Sequence, residues 1–381
     1  MPATAIGKPS DLPTSDLTGK VQTVLGTIEP EEMGVTLPHE HLFVDATCML
    51  EPAQEASELQ RARLPFTLEN LWWIRYNYFR HPENVVLSDE DTALSELDLF
   101  RRAGGRTLVE VTPTGIGRSP IALARVARAS GVNIVMATGY YVDPTHPPRV
   151  ASAAEEELVA RMVTEIREGA ILERPNTSGQ DLTRSDVQTE IRAGVIKIGC
   201  SYPLTPSERK VLRVAVEAQR RTGAALTIHV GRHDQSAVEI VAALREAGAD
   251  MGHTVLGHLE LRIERLETLD EVAESGCFLE FDLFGQEISN FPNAPRDMPS
   301  DAQRLDLLEH VKELGLVDRI LVSHDICTKD RLARYGGHGY AYIPAWVAPR
   351  MRERGFTQSD VQAFLVSNPA RAFAFSAAAD T

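Results

Sequence analysis

Short apolar runs alternate along this chain with longer stretches in which apolar residues recur at helical spacing. The run ALTIHV (225–230) is typical of a buried strand, and AAEEELVARMVTEIREGA (153–170) is typical of an amphipathic helix. The alternation continues from about residue 20 to the end, which predicts parallel strands joined by helices. The eight predicted strands are 34–45, 106–113, 133–141, 194–200, 225–230, 254–259, 277–282 and 319–325.

Eight successive strand–helix units predict an α/β protein with a (β/α)8 TIM barrel. The run VQTVLG (21–26) comes before the first unit and predicts a short N-terminal β-hairpin extension that covers the floor of the barrel. We expect residues 1–20 to be a disordered lead-in and residues 21–381 to form a single barrel domain. In such barrels the active site lies at the C-terminal ends of the strands.

Net charge, hydropathy and cysteine spacing limit the partners and the cellular location expected for this chain. The 381 residues carry a formal net charge of −15, which argues against nucleic acid or an anionic membrane as a partner. The chain has no run of about 18 apolar residues, so we expect no transmembrane helix. Its four cysteines lie far apart without a C-x-x-C pair, which is typical of free thiols in a reducing compartment. We therefore expect a cytoplasmic protein.

His39 and His41, in GVTLPHEHLFVD, carry the first chemical signal. Residues two apart in a strand point the same way, so the two imidazoles can ligate one divalent cation while Glu40 points away. Histidines at this spacing also occur by chance, so the pair alone is only a hypothesis.

The ends of the other predicted strands strengthen this hypothesis. Polar residues suited to metal binding end strands 4, 5, 6 and 8, namely Lys197, His229, His258 and Asp325. Lys197 lies between two isoleucines that should face the helices, so its amine should point into the barrel. A buried lysine is costly unless it is neutral, paired or modified. A carbamate formed with carbon dioxide would make it an anionic ligand able to bridge two cations.

Taken together, these motifs resemble the phosphotriesterase-related branch of the amidohydrolase superfamily. The resemblance is carried by VQTVLGTIEPEEMGVTLPHEHL, GVIKIGCSYPLT, GAALTIHVGR, GHLELRI, CFLEFDLFG and SHDICTKDRLARYGGHGY. It implies a binuclear metal-dependent hydrolase and a homodimer. The metals are zinc in most members, and manganese or cobalt can replace it.

The resemblance also implies a role for each ligand. His39, His41 and Asp325 would hold the more buried ion, and His229 and His258 the more exposed one. Lys197, N6-carboxylated, would bridge the two. A metal-bridging hydroxide would then attack the substrate, with Asp325 as the base that receives its proton.

The substrate is less determined by sequence. Leu259, Glu260 and Leu261 follow His258, where better-known phosphotriesterases tend to carry polar residues, often Asp, that relay a proton. The loop after strand 8 is also cationic, so we favour a small amide, ester or lactone. The branch is associated with N-acyl substrates such as N-acetyltaurine. Arg232, Lys329 and Arg331 are candidates to bind an anionic end, and Tyr141 to line the cavity.

Three alternatives stay open at this point: an organophosphate hydrolase or lactonase, a metal-dependent lyase such as a decarboxylase, and a barrel without activity.

Two further features remain to be placed. We expect Glu110, at the end of strand 2, either to enter the pocket or to form a structural salt bridge. The stretch His338 to Tyr340 has the glycine content of a lid over the site.

Overall fold

The computed structural model describes residues 17–51, 55–172, 187–288 and 297–379. Eight parallel strands form one sheet in which each strand pairs with the next along the chain. These strands are β1 (Val35–Glu40), β2 (Gly105–Glu110), β3 (Asn133–Tyr140), β4 (Val195–Gly199), β5 (Ala225–His229), β6 (Thr254–Gly257), β7 (Phe278–Phe281) and β8 (Ile320–Val322).

The sheet curls round until its two edges meet. Beyond the end of β8 the Asp325 amide donates to the His39 carbonyl on β1 at 3.1 Å, and the Ser323 hydroxyl donates to the same carbonyl at 2.9 Å. The predicted barrel is confirmed, and its strands start within two residues of the predicted positions. All eight end earlier than predicted. The first ends at Glu40, so His41 lies one residue beyond it.

Helices connect the strands and pack on the outside of the barrel. The connecting helices are α1 (Glu90–Arg102), α2 (Pro120–Ser130), α3 (Glu155–Arg167), α4 (Pro206–Thr222), α5 (Ser236–Ala247), α6 (Leu266–Ala273) and α7 (Asp301–Glu313). Shorter helices lie at Ala56–Arg61, Leu71–Tyr76, Pro148–Ser152 and Leu259–Arg262, and three follow β8, at Ala348–Glu353, Gln358–Gln362 and Asn368–Phe373. Two small ribbons pair Val44–Asp45 with Val86–Leu87 and Ile171–Leu172 with Val187–Gln188.

Local sequence sets the ends of these helices. At the start of α4, the Thr205 hydroxyl accepts a hydrogen bond from the Glu208 amide at 3.1 Å, and the Glu208 carboxylate accepts one from the Thr205 amide. The helix stops at Gly223, whose φ of +74° suits a residue without a Cβ.

The N-terminal end of the barrel is closed by apolar side chains. The strands Val21–Thr23 and Gly26–Ile28 form the predicted hairpin. Val21 is fully buried against inward-pointing residues of the barrel, including Val135 and Phe278. Gln22 ties the hairpin down, because its amide donates to the carbonyls of Ile166 and Ala193 at 2.8 and 2.6 Å. The polar candidate ligands lie at the opposite, C-terminal end of the barrel.

Most of the predicted disordered lead-in, residues 1–16, lies outside the described residues. Where the description begins, the Gly19 amide donates to the Phe375 carbonyl at 2.8 Å, so the two ends of the described chain run side by side. None of the helices in the described ranges combines the length and apolar composition needed to cross a bilayer.

Candidate metal centre

The six predicted ligands come together at the C-terminal end of the barrel. Nε2 of His39 lies 2.9 Å from Nζ of Lys197 and 3.7 Å from Oδ1 of Asp325. Nε2 of His41 lies 3.0 Å from the same Asp325 oxygen. Nε2 of His258 lies 2.7 Å from Nδ1 of His229. Each side chain therefore presents a donor atom to a common space.

Strand geometry explains this convergence. On β4 the side chains alternate, so Ile196 and Ile198 pack in the outer core and Lys197 points inward. His258 and Asp325 follow β6 and β8 with φ of +62° and +53°, the only positive values among the described residues other than glycine. Such backbone is strained for these residues and often marks functional positions. It turns both side chains over the mouth of the barrel.

A second layer of side chains holds the imidazoles from behind. Nδ1 of His39 lies between Oε2 of Glu280 at 2.7 Å and Oδ2 of Asp282 at 2.8 Å. The other Asp282 oxygen lies 2.7 Å from Nδ1 of His258. Since carboxylates accept hydrogen bonds, both Nδ1 atoms carry the proton, and the Nε2 lone pairs point to the common space.

Glu280 and Asp282 are site residues that sequence reasoning missed. The signal was present: in CFLEFD the inward positions 278, 280 and 282 hold one aromatic and two acidic residues, and buried acids in a strand need a partner. Gly257 on the neighbouring strand makes room for them, because a Cβ there would lie 2.9 Å from Asp282 Oδ2 and 3.2 Å from Glu280 Oε2.

His39, Glu280 and Asp282 also satisfy the spacing of a second candidate cation site, on the far side of the ring. Their contacts of 2.7 and 2.8 Å are ordinary hydrogen-bond distances. We therefore treat this trio as support for His39, not as a separate site.

The protonation of the cluster fits metal binding. Burial lowers the pKa of His229 well below its ordinary value and that of His258 to about 4, despite the opposing effect of Asp282 on His258. Burial also lowers the pKa of Lys197. His229 and His258 are thus neutral near pH 7, which is the form that ligates a metal, and the lowered pKa of Lys197 favours the neutral amine that takes up carbon dioxide.

The carboxylates supply the matching negative charge. Burial and Lys197 act to lower the pKa of His39, but Asp282 and Glu280 outweigh them and raise it to about 10. The two carboxylates therefore stabilise positive charge on the His39 imidazole, and a metal cation bound to Nε2 would provide that charge. Burial opposes ionisation of Asp325, yet the adjacent imidazoles of His41, His39 and His258 lower its pKa. The donor set fits two divalent ions.

The cluster opens into a pocket of about 820 Å³, including space open to solvent. Tyr141, Arg232 and Arg331 line it, as expected from sequence. The Tyr141 hydroxyl lies 3.4 Å from the His229 ring nitrogens. Apolar residues make up much of the wall: Val44, Ala46, Met49, Phe79, Val111, Ile116, Leu261 and Leu283.

Lys329 is not brought to this pocket, in contrast to the prediction. It lines a neighbouring depression, where its amine lies 6.0 Å from the centre of the Tyr335 ring. Arg262 lines the main pocket instead and was missed by sequence reasoning. The signal was its place four residues after His258, where the short helix Leu259–Arg262 turns it back over the site.

The loop after β8 is tied to the site through its backbone. Arg331 donates to the carbonyl of Asp325 at 2.6 Å and to that of His324. Tyr340 is buried and donates to the His41 carbonyl at 2.6 Å, so this residue of the glycine-rich stretch is an anchor rather than part of a mobile lid. Glu40 points away from the cluster and accepts from the His324 and Ile326 amides at 2.9 and 3.0 Å.

Glu110 is fully buried beside the cluster, without a cation at ion-pair distance among the described residues. The salt-bridge interpretation is therefore not supported. Its carboxylate is bonded to the Thr112 hydroxyl at 2.6 Å instead.

Similarity to known proteins agrees with this geometry. Residues 19–373 match the model of the phosphotriesterase family. An N-acetyltaurine hydrolase of Danio rerio is 42% identical over 364 residues, covering 95% of this chain and 99% of that protein. The human N-acetyltaurine hydrolase is 42% identical over 361 residues, covering 93% and 98%. The crystal structure of a resiniferatoxin-binding protein from Rhodobacter sphaeroides matches with a TM-score of 0.85 and 35% identity, covering 93% and 95%.

Fold, donor set and relatives define the class: a metal-dependent hydrolase built on a (β/α)8 barrel. Within that class, the chain belongs to the phosphotriesterase family. The resemblance noted in its motifs is confirmed, and the lyase and inactive-barrel alternatives are not favoured.

Proposed function

We propose that this protein hydrolyses a small N-acyl amide that carries an anionic group, of the kind represented by N-acetyltaurine. One observation carries the proposal: a single pocket joins the ligand cluster to the three arginines Arg232, Arg262 and Arg331. The names of the relatives at 42% identity support the same substrate class.

The ligands would hold two divalent ions, with zinc favoured by four imidazoles, one aspartate and a carbamate on Lys197. Bound there, the ions would acidify a water molecule and polarise the scissile carbonyl. The oxygen of the attacking water bonds to the acyl carbon, and Asp325 accepts one proton of that water. The same carboxyl passes that proton to the nitrogen as the C–N bond breaks, which releases a carboxylic acid and an amine.

Positive charge lies on the His229 side of the pocket. Arg262 and Arg232 line the same pocket as His229, and their positive charge contributes to the lowered pKa of this imidazole. Guanidinium groups bind sulfonate and carboxylate oxygens through paired hydrogen bonds. The chain's net charge of −15 repels anions overall, so local cations are needed to attract one.

The rest of the pocket suits a small uncharged acyl group. Leu261 and Leu283 stand on the wall beside the metal ligands and give an apolar surface for a methyl. Burial raises the pKa of Tyr141, so its hydroxyl stays protonated and is able to donate a hydrogen bond near His229.

The test is a comparison of matched substrates with zinc-reconstituted protein. N-acetyltaurine and N-ethylacetamide share the scissile bond, but only the first carries a sulfonate. We expect a kcat/KM for N-acetyltaurine at least about 10-fold higher, since hydrogen bonds to charged groups contribute about 1.5–3 kcal/mol. Equal rates for the two amides would contradict the anion site. Faster turnover of neutral lactones or phosphotriesters would favour the alternative activities of the family.

Two further expectations remain proposals. We propose a homodimer, supported by the exposure of Trp72 and Tyr76 on one short helix, whereas the adjacent Trp73 is buried. Light scattering coupled to gel filtration tests the dimer.

We also propose a cytoplasmic location, supported by the four free cysteines, Cys48, Cys200, Cys277 and Cys327. Cell fractionation tests this location.

A further inference from the structure

Of the three imidazoles held from behind by a side chain, His41 alone has a neutral partner. Its Nδ1 lies 2.7 Å from the hydroxyl of Thr112, just beyond the end of β2, and both residues are buried. The carboxylates Glu280 and Asp282 hold His39 and His258 in the corresponding way. A hydroxyl is able to donate or accept, so it does not by itself decide which His41 nitrogen carries the proton.

Glu110 resolves this ambiguity. Its Oε1 lies 2.6 Å from the Thr112 hydroxyl and 3.3 Å from the Leu42 amide, and its Oε2 lies 3.3 Å from the Thr112 amide. The carboxylate accepts all three bonds. The single hydroxyl proton of Thr112 is thus directed to Glu110, and the Thr112 oxygen accepts from Nδ1–H of His41.

Two effects act in opposite directions on Glu110. The hydrogen bonds from Thr112 and Leu42 act to lower its pKa, but burial outweighs them and raises the pKa to about 8. Each of its two oxygens nevertheless faces a backbone N–H, that of Leu42 at Oε1 and that of Thr112 at Oε2, and this arrangement suits a carboxylate, which only accepts.

The consequence appears on the other side of the ring. With the proton on Nδ1, the Nε2 lone pair of His41 faces the carboxylate Oδ1 of Asp325 at 3.0 Å. Two acceptors at this distance repel each other unless a cation lies against both. The contact is therefore one that a metal ion relieves.

We infer that Thr112, directed by Glu110, is a positioning residue that sets the tautomer and orientation of His41 for metal binding. This inference rests on the proposed metal centre. It does not depend on which substrate the enzyme hydrolyses.

The test compares Thr112→Val, which removes the hydroxyl at nearly constant shape, with Thr112→Ser, which keeps it. Zinc affinity is measured by competition with a chelator, and bound zinc by elemental analysis. We expect Thr112→Val to bind one of its two zinc ions about 10–100-fold more weakly, as is usual when a partner of a metal ligand is lost. Thr112→Ser should stay within a few-fold of the wild type.

Thr107→Val is the matched control for losing a buried hydroxyl. Thr107 lies on β2, the strand that leads to Thr112, but its hydroxyl donates to the Met33 carbonyl at 2.6 Å, at the floor of the barrel. Its zinc affinity should equal that of the wild type. Nitrogen NMR of the labelled zinc protein adds a readout independent of activity, because it reports directly which His41 nitrogen carries a proton.

Outcomes separate this inference from the proposed function. If the wild type binds two zinc ions and Thr112→Val binds them equally well, the inference is wrong while the metal centre stands. If the wild type binds no divalent ion, both are wrong. Should Thr112→Val fail to fold, Glu110→Gln decides the matter, because weakened zinc binding supports the inference and unchanged binding overturns it.

Discussion

Asp282 supports His39 from the side opposite to the proposed metals, with its Oδ2 2.8 Å from Nδ1 of the imidazole. Its Oδ1 lies 2.7 Å from Nδ1 of His258. One carboxylate on one strand thereby orients a ligand proposed for the buried ion and a ligand proposed for the exposed ion. The two proposed sites share a support, so damage to it should affect both.

We predict that Asp282→Asn weakens the binding of both metal ions by about 10–100-fold. The amide keeps one acceptor oxygen but turns an NH2 group toward the second imidazole N–H. Chelator competition followed by elemental analysis measures the loss. Glu280→Gln is the control, since Glu280 contacts His39 alone of the two imidazoles and should affect mainly one ion. Equal behaviour of the two variants would contradict a shared support.

Asp325→Asn should lower kcat by roughly 10²–10⁴-fold, because the amide is unable to accept a proton from the attacking water. The measurement is steady-state kinetics on protein whose zinc content is known. A variant with full zinc content and undiminished kcat would show that another group is the base.

Arg262→Met should raise KM for N-acetyltaurine by about 10–100-fold while kcat/KM for N-ethylacetamide stays nearly constant. Methionine keeps much of the apolar stem but removes the charge. Lys329→Met serves as the control, because Lys329 lies outside the pocket and its loss should leave both substrates unaffected. An equal loss on the two substrates would indicate a structural role for Arg262.

Gly257→Ala should destabilise the protein by about 1–3 kcal/mol, as overpacking in a filled core does. The added Cβ would lie 2.9 Å from Asp282 Oδ2 and 3.2 Å from Cε1 of His39. Thermal unfolding of the zinc-loaded and metal-free forms tests this. Gly104→Ala controls for losing a glycine from the barrel, although its φ of +94° adds strain of its own. Only Gly257→Ala should also weaken zinc binding.

A buried ion pair away from the site predicts acid sensitivity. Arg118 donates to both oxygens of Glu165 at 2.6 and 2.7 Å. Burial opposes ionisation of Glu165, but Arg118 outweighs it and lowers the pKa below 4.5. The unfolded chain therefore binds this proton first. The stability contributed by the pair is complete above pH 4.5 and is lost as the pH falls through the lowered pKa.

Glu165→Gln should cost about 3–5 kcal/mol at pH 7, because it leaves Arg118 as a buried charge without its carboxylate. Its unfolding free energy should also fall less steeply on acidification. Glu155 lies on the same helix as Glu165 but pairs with Arg213 at the surface, so Glu155→Gln should change stability little. Urea unfolding at pH 7 and pH 4 measures both effects. Equal losses in the two variants would contradict the role of burial.

The barrel and the convergence of the six candidate ligands were predictable from sequence for a physical reason. A buried strand alternates its side chains between two faces, so Lys197 in VIKIG must point opposite to its two isoleucines. Parallel strands in a closed barrel bring their C-terminal ends to one mouth. Residues as distant in sequence as His39 and Asp325 therefore had to meet once eight strands were counted.

Only the tertiary structure decided which residues hydrogen-bond to the candidate ligands and which residues line the substrate pocket. Glu280 and Asp282 are visible as acids in a strand, but alternation alone does not say which imidazole each one meets. Arg262 enters the pocket and Lys329 stays out because loop backbones, which have no periodicity, set their directions. The sequence by itself determined where the metal-binding chemistry lies. Only the folded loops and the packed second layer decided how each ligand is held and which charges a substrate meets, because these depend on contacts between segments that no local pattern encodes.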